Sequence, residues 1–417
     1  MEEFSLCNGL TVQLIDKPGF KKQFAAVMVD FGGVDQQYRR NGQVQPLPAG
    51  IAHFIEHQLF NKVAGDISQQ FAQNGAETNA FTSPSKTAYF FNSTGQLTAN
   101  LDLLAQLVGQ PYFQAESVTR ERQIIAQELS LYQDQPDFQL ETGLLKRLYG
   151  AWHPLAEDIA GTPESLQAID PEVLYAAYQA YYRPTNMRLC VVADLANQQL
   201  VQYFQQESNL WCQLAAKEDF ATSFTTIAAE PSQNHDQAIS VPTLTNNKWS
   251  LGLISPTPAE PAARILLQLD LDLVLTTLFG ETSPIFQAWR HQGLIDDSFQ
   301  YQVTLERQYS HVVFTANTDD GEQLTTNIEA LLKELNDKYF KNFTAVQQLM
   351  VGNSLFAEDD LGGVCLENLE LGFYDCDWQT FGQLLRQRTL TESLINVATF
   401  LKSGEFRSYS LLGGQLA

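Results

Sequence analysis

Six histidines stand in the 417 residues, and two of them fall within five positions, in His53-Phe-Ile-Glu56-His57. On a helix, residues i and i+4 lie about 40° apart on one face, so both imidazoles can reach a single ion. Glu56, three residues after His53 and one before His57, leans toward that ion without ligating it. Zinc suits two imidazoles plus a carboxylate, with water in the fourth position. Glu56 is then placed to take the proton from that water as it attacks a carbonyl. The third ligand has to come from elsewhere, and Arg120-Glu121-Arg-Gln-Ile-Ile-Ala-Gln-Glu128 offers it. Glu121 and Glu128 are two helical turns apart and project on the same side, so one can bind the ion while the other supports a histidine or the first carboxylate.

These groups need elements to hold them. Gly50 to Asn61 reads as a helix whose Ile51, Phe54, Ile55 and Phe60 bury it and keep bulk water from the site. Glu116 to Gln133 reads as a second helix, ended by the Asp134-Gln-Pro-Asp137 turn. Thr78 to Thr94 alternates, carries aromatics and turns near Ser83-Pro84-Ser85, which predicts a hairpin. A hairpin is also expected from Val12 to Ile15 and Phe24 to Phe31 around Asp16-Lys-Pro-Gly, and a central strand at Met187 to Ala193.

From 216 to 236 the periodicity dissolves into small and polar residues around Pro231, the expected linker. Beyond it, strands at Ala238 to Pro242 and Trp249 to Ile254 begin a second round of strands, helix, hairpin and helices. The expected fold is α+β, with two structurally similar domains at 1–215 and 237–417, each a mostly antiparallel sheet packed with helices.

Composition narrows the function. Forty-eight acids against 25 bases give a net charge of −23, which repels phosphate backbones and anionic lipid heads and argues against nucleic-acid and membrane partners. The five cysteines are widely spaced and form no C-x-x-C pair, as expected of reduced thiols. The opening MEEFSLCNGL carries acids where a signal peptide carries bases, so a cytoplasmic protein is expected.

His53-x-x-Glu56-His57, followed about seventy residues later by Glu121 and Glu128, resembles the inverted zinc motif of the pitrilysin/insulinase metallopeptidases. That resemblance implies that His53, His57 and Glu128 bind one zinc per chain, that Glu56 is the base and that Glu121 supports the ligands. It extends through Gly75-Ala-Glu-Thr-Asn79-Ala80-Phe-Thr82, which in the family is an edge strand to which a peptide substrate adds, making Asn79 and Ala80 substrate-binding positions.

The resemblance also carries a departure. Many relatives place an arginine and, seven residues on, a tyrosine in the second half to steady the substrate carbonyl. Those positions are Trp289 and Asp296 here, with Arg290 one residue out of register. Single-chain relatives enclose substrate between four such domains, whereas this chain has length for two. The resemblance therefore implies a two-chain chamber, a homodimer or a heterodimer with a homologous chain. The alternative is a peptide-maturation or modification-pathway subunit that acts mainly as a partner-dependent binding scaffold.

Overall fold

The computed structural model describes residues 1–195, 199–206, 208–215, 219–224 and 228–413. Of the expected linker, 216–218 and 225–227 lie outside the described residues, and Phe220–Thr222 forms a short strand paired with Gln37–Arg40. The chain folds as two compact units that interleave along the sequence. One comprises Met1–Ser130, Glu157–Thr225 and Ala357–Phe373; the other Leu131–Ala156, Thr226–Phe356 and Tyr374–Ala417.

The first unit is built on a six-stranded sheet. Its order is Glu2–Ser5, Thr11–Asp16, Met187–Ala193, Gln23–Val29, Thr87–Ser93, Ala76–Thr82. The expected hairpin at the start of the chain is corrected here. Both of its strands exist, but Met187–Ala193 lies between them, parallel to Thr11–Asp16 and antiparallel to Gln23–Val29. The side chains of that strand explain its place: Leu189 and Val191 are buried on one face, Cys190 and Val192 on the other. A strand buried on both faces belongs in the middle of its sheet. The second hairpin is present, Ala76–Thr82 against Thr87–Ser93, and Ala76–Thr82 is the sheet edge.

One face of this sheet carries the large core of Val27, Val29, Tyr89 and Phe91 under the helices Ile51–Leu59, Leu97–Gly109, Ala115–Tyr132 and Pro171–Tyr181. The other face, with Phe24, Ala26, Met28 and Val192, is covered by the helix Leu361–Gly372 through Leu361, Val364, Cys365 and Leu369.

The second unit repeats the plan in a five-stranded sheet ordered Ala238–Val241, Glu405–Gly413, Lys248–Ile254, Ser310–Asn317, Gln300–Leu305. Its first pair is parallel and the rest antiparallel, the same pattern that runs from Thr11–Asp16 to Ala76–Thr82 in the first sheet. The helix Pro136–Tyr149 packs against its strands Glu405–Gly413 and Lys248–Ile254. Both units are thus mixed α+β with antiparallel-rich sheets. Among the described residues no helix is long and apolar enough to cross a membrane.

Candidate metal centre

The helix Ile51–Leu59 is nine residues long and held at its start by a close approach of two glycines. Gly50 has φ 84°, and a Cβ there would lie 2.5 Å from the carbonyl oxygen of Ala160. Gly161 reciprocates with φ 88° and a would-be Cβ 2.7 Å from the carbonyl oxygen of Ala49. Only glycine tolerates both the left-handed backbone and the contact. Buried Ile51, Phe54, Ile55 and Leu59 then fix the helix's rotation in the core. His53 and His57 are thereby turned to one side, half-buried, with ring centroids 4.5 Å apart.

The helix Ala115–Tyr132 brings the carboxylates. Val118, Ile125 and Leu129 form its buried stripe, and an Arg122 guanidinium N–H donates to the carbonyl of Ile169 at 2.8 Å. Ligand atoms of His53, His57 and Glu128 converge within 4.8 Å of one another. Glu121 faces the same histidine from the other side: its Oε1 lies 2.8 Å from His57 Nδ1, while His57 Nε2 lies 4.0 Å from Glu128 Oε2. The spacing of Glu121 and Glu128 thus brings both to one imidazole, one at each ring nitrogen.

Glu121 Oε2 also accepts from Gln58 Nε2 at 3.3 Å, and Gln58 Oε1 accepts from the Ser117 hydroxyl at 3.0 Å. This relay ties the two helices together beside the ligands. Sequence spacing did not flag Gln58 or Ser117, because an amide beside a histidine carries no signal until the second helix is placed.

Glu56 is buried, and its Oε2 accepts from the Thr82 hydroxyl at 2.6 Å. Burial raises its pKa, with the nearby Glu128 acting in the same direction; the Thr82 bond and His57 oppose it. Burial and His57 hold the His53 imidazole down at about 3, so the ring is neutral and offers a lone pair to a cation. Burial also works against charging His57, but the Glu121 hydrogen bond and the carboxylates of Glu56, Glu121 and Glu128 outweigh it and raise its pKa. A cation bound there competes with that proton.

Two imidazoles and a carboxylate fit zinc, and the buried Nδ1 of His53 has no hydrogen-bond partner among the described residues. Beneath the site the hydroxyls of buried Tyr89 and Tyr182 meet at 2.6 Å.

Asn79 and Ala80 lie on the edge strand opposite Phe90 and Tyr89, Asn79 exposed and Ala80 half-buried. The Ala80 amide donates to Asn79 Oδ1 at 2.8 Å. In the second unit, Trp289 is a core residue stacked on Phe279, and Arg290 pairs with Asp297 at 2.9 Å. Asp296 accepts from the backbone amide of Ser298 at 2.9 Å.

The insulinase profile of peptidase family M16 matches residues 45–162, which include His53, Glu56, His57, Glu121 and Glu128. The profile of the M16 inactive domain matches residues 168–345. The uncharacterized zinc protease YmfH of Bacillus subtilis (strain 168) is 32% identical over 335 residues, 78% of this chain and 76% of that protein. The chain belongs to the insulinase family, M16. An M16-like peptidase from Alicyclobacillus acidocaldarius matches this M16 chain with a TM-score of 0.88 at 24% identity, over 99% of this chain and 98% of that one. The periplasmic protease PqqL from Escherichia coli matches with a TM-score of 0.75 at 18% identity, over 99% of this chain and 47% of that one. At such identities the likeness is one of fold, and this M16 chain corresponds to about half of the PqqL chain.

Proposed function

We propose that the chain is a zinc metallopeptidase that hydrolyses peptides or short unfolded segments, with His53, His57 and Glu128 as ligands and Glu56 as general base. The observation that carries this reading is the convergence of those three ligand atoms within 4.8 Å, beside the helix that also bears Glu56. A bound zinc supplies Lewis acidity toward water and the scissile carbonyl. Glu56 accepts the proton of the attacking water and returns it to the leaving amine. Burial raises its pKa, the direction that favours its taking up a proton. Glu121 keeps His57 Nδ1 engaged, so that Nε2 is the nitrogen turned toward Glu128. The peptide adds to the edge strand Ala76–Thr82 by backbone pairing, exchanging its bond for the one Asn79 makes to the Ala80 amide.

Glu56→Gln tests the assignment. The variant is expected to bind zinc like the wild type and to lose about 10²–10⁴-fold in turnover of quenched fluorogenic peptides. Wild-type turnover in that variant removes Glu56 from the mechanism.

A second reading is favoured by the second unit, where Trp289 is buried in the core and Arg290 stands one residue out of register in an exposed ion pair with Asp297. Donors that steady the substrate carbonyl then come from a second chain, the same or homologous, and this chain acts as a partner-dependent subunit. Stoichiometric zinc without turnover until a homologous protein is added supports that reading. A sedimenting monomer with full activity excludes it.

A further inference from the structure

Glu56 hangs from a helix on a side chain with three rotatable bonds, yet a base must present one defined oxygen to water. Among the described residues, the hydroxyl that reaches its carboxylate is that of Thr82, 2.6 Å from Oε2. Thr82 is the last residue of the edge strand Ala76–Thr82, and the chain immediately after it is strongly fixed. The Ser83 amide donates to the Lys86 carbonyl at 2.7 Å, and the Lys86 amide donates to Ser83 Oγ at 2.9 Å.

The turn is also fastened to the loop that follows Gln23–Val29. Gly33 and Val34 amides donate to the carbonyls of Ser83 and Pro84 at 3.1 and 2.9 Å. A Cβ on Gly32 would lie 2.5 Å from the Ser83 carbonyl oxygen and from the Ser85 nitrogen, so the two segments touch. Buried Lys86 pairs with Asp30 at 3.1 Å, and the Thr87 hydroxyl donates to the Phe31 carbonyl at 2.8 Å. The hydroxyl facing Glu56 therefore stands on an anchored point of the backbone, while two and three residues earlier the same strand offers Ala80 and Asn79 at the sheet edge.

We propose that Thr82 is a positioning residue: its hydroxyl fixes Oε2 of Glu56, leaves Oε1 for the attacking water, and links the base to the strand on which the peptide docks. The inference rests on the reading of Glu56 as the base. A threonine needed only for strand packing would tolerate an isosteric valine; a positioning hydroxyl would not.

The test compares Thr82→Val, Thr82→Ser and Glu56→Gln, singly and with Thr82→Val combined with Glu56→Gln. A mixture of quenched fluorogenic peptides is the probe, and metal-free crystals of each Thr82 variant provide a readout independent of turnover. Thr82→Val is expected to lower kcat about 10- to 100-fold, the effect of losing a hydrogen bond to a charged group, with KM and zinc content unchanged. Thr82→Ser is expected to recover most of kcat, and Thr82→Val to cost nothing further once Glu56 is Gln. In the metal-free crystals the Glu56 carboxylate is expected to leave its position in Thr82→Val and to keep it in Thr82→Ser. A carboxylate that stays in place without the hydroxyl, or a loss confined to KM, overturns the proposal. Wild-type turnover in Glu56→Gln instead overturns the base assignment, and the crystals still decide whether Thr82 holds the carboxylate.

Discussion

Replacing Glu121 with glutamine removes one charge and keeps the shape, and the surroundings set what that should cost. The carboxylate makes two contacts, Oε1 to His57 Nδ1 at 2.8 Å and Oε2 to Gln58 Nε2 at 3.3 Å. An amide can keep only one of them. If its oxygen stays on His57, its NH₂ meets the NH₂ of Gln58, and Gln58 has to turn, its own NH₂ then donating to the Ser117 hydroxyl, whose proton passes to the Gln114 carbonyl at 3.0 Å. The bond kept to His57 loses its charge assistance, which is roughly half its strength. The weakened bond amounts to about 1–1.4 kcal/mol, or about 5- to 10-fold in zinc affinity. Competition against a chromophoric chelator measures this directly, with Glu128→Gln as the variant expected to lose a ligand outright. A Glu121→Gln affinity within about twofold of the wild type would show that His57 needs no carboxylate at Nδ1.

Two further outcomes concern the scaffold. Gly50→Ala places a Cβ 2.5 Å from the Ala160 carbonyl oxygen at φ 84°, and should cost about 3 kcal/mol or more in thermal unfolding. Gly42, at φ 77° with nothing within 4 Å, is the control that carries the strain without the collision, so equal losses in the two alanine variants would refute the close-approach argument. His311 in the second unit is buried, its pKa lowered by burial to about 4. Its unfolded form binds the proton more readily, so its contribution is complete above pH 6.5, shrinks as pH falls toward 4, and amounts to about 3 kcal/mol. Urea titrations between pH 7 and 4.5 should therefore slope less steeply in His311→Gln, and parallel curves would show that His311 is not the group responsible.

Local patterns revealed what local patterns control. The i, i+4 histidines, the glutamates two turns apart and the alternating run around Ser83-Pro84-Ser85 each depend on a short period, and each lies on the expected kind of element. Pairing across long separations was another matter. Thr11–Asp16 and Gln23–Val29 look like neighbours because a short turn joins them, but a strand about 160 residues later is the better partner for both, being apolar on both faces. The helix Pro136–Tyr149 begins inside what reads as a terminating turn, since Pro136 at its first position is as compatible with starting a helix as with ending one. Thr82 meets Glu56 across 26 residues and two elements, and no periodicity announces such a contact.

The helix Leu361–Gly372 gives the order of synthesis a role. The face of the first sheet that holds Phe24, Met28 and Val192 is sealed by residues made long after those strands have left the ribosome. Until then a nascent chain carries a complete candidate metal centre together with an apolar face open to chaperones, proteases or other chains. A ribosome-stalled fragment lacking this helix is therefore expected to expose that apolar face, although His53, His57 and Glu128 are already synthesised.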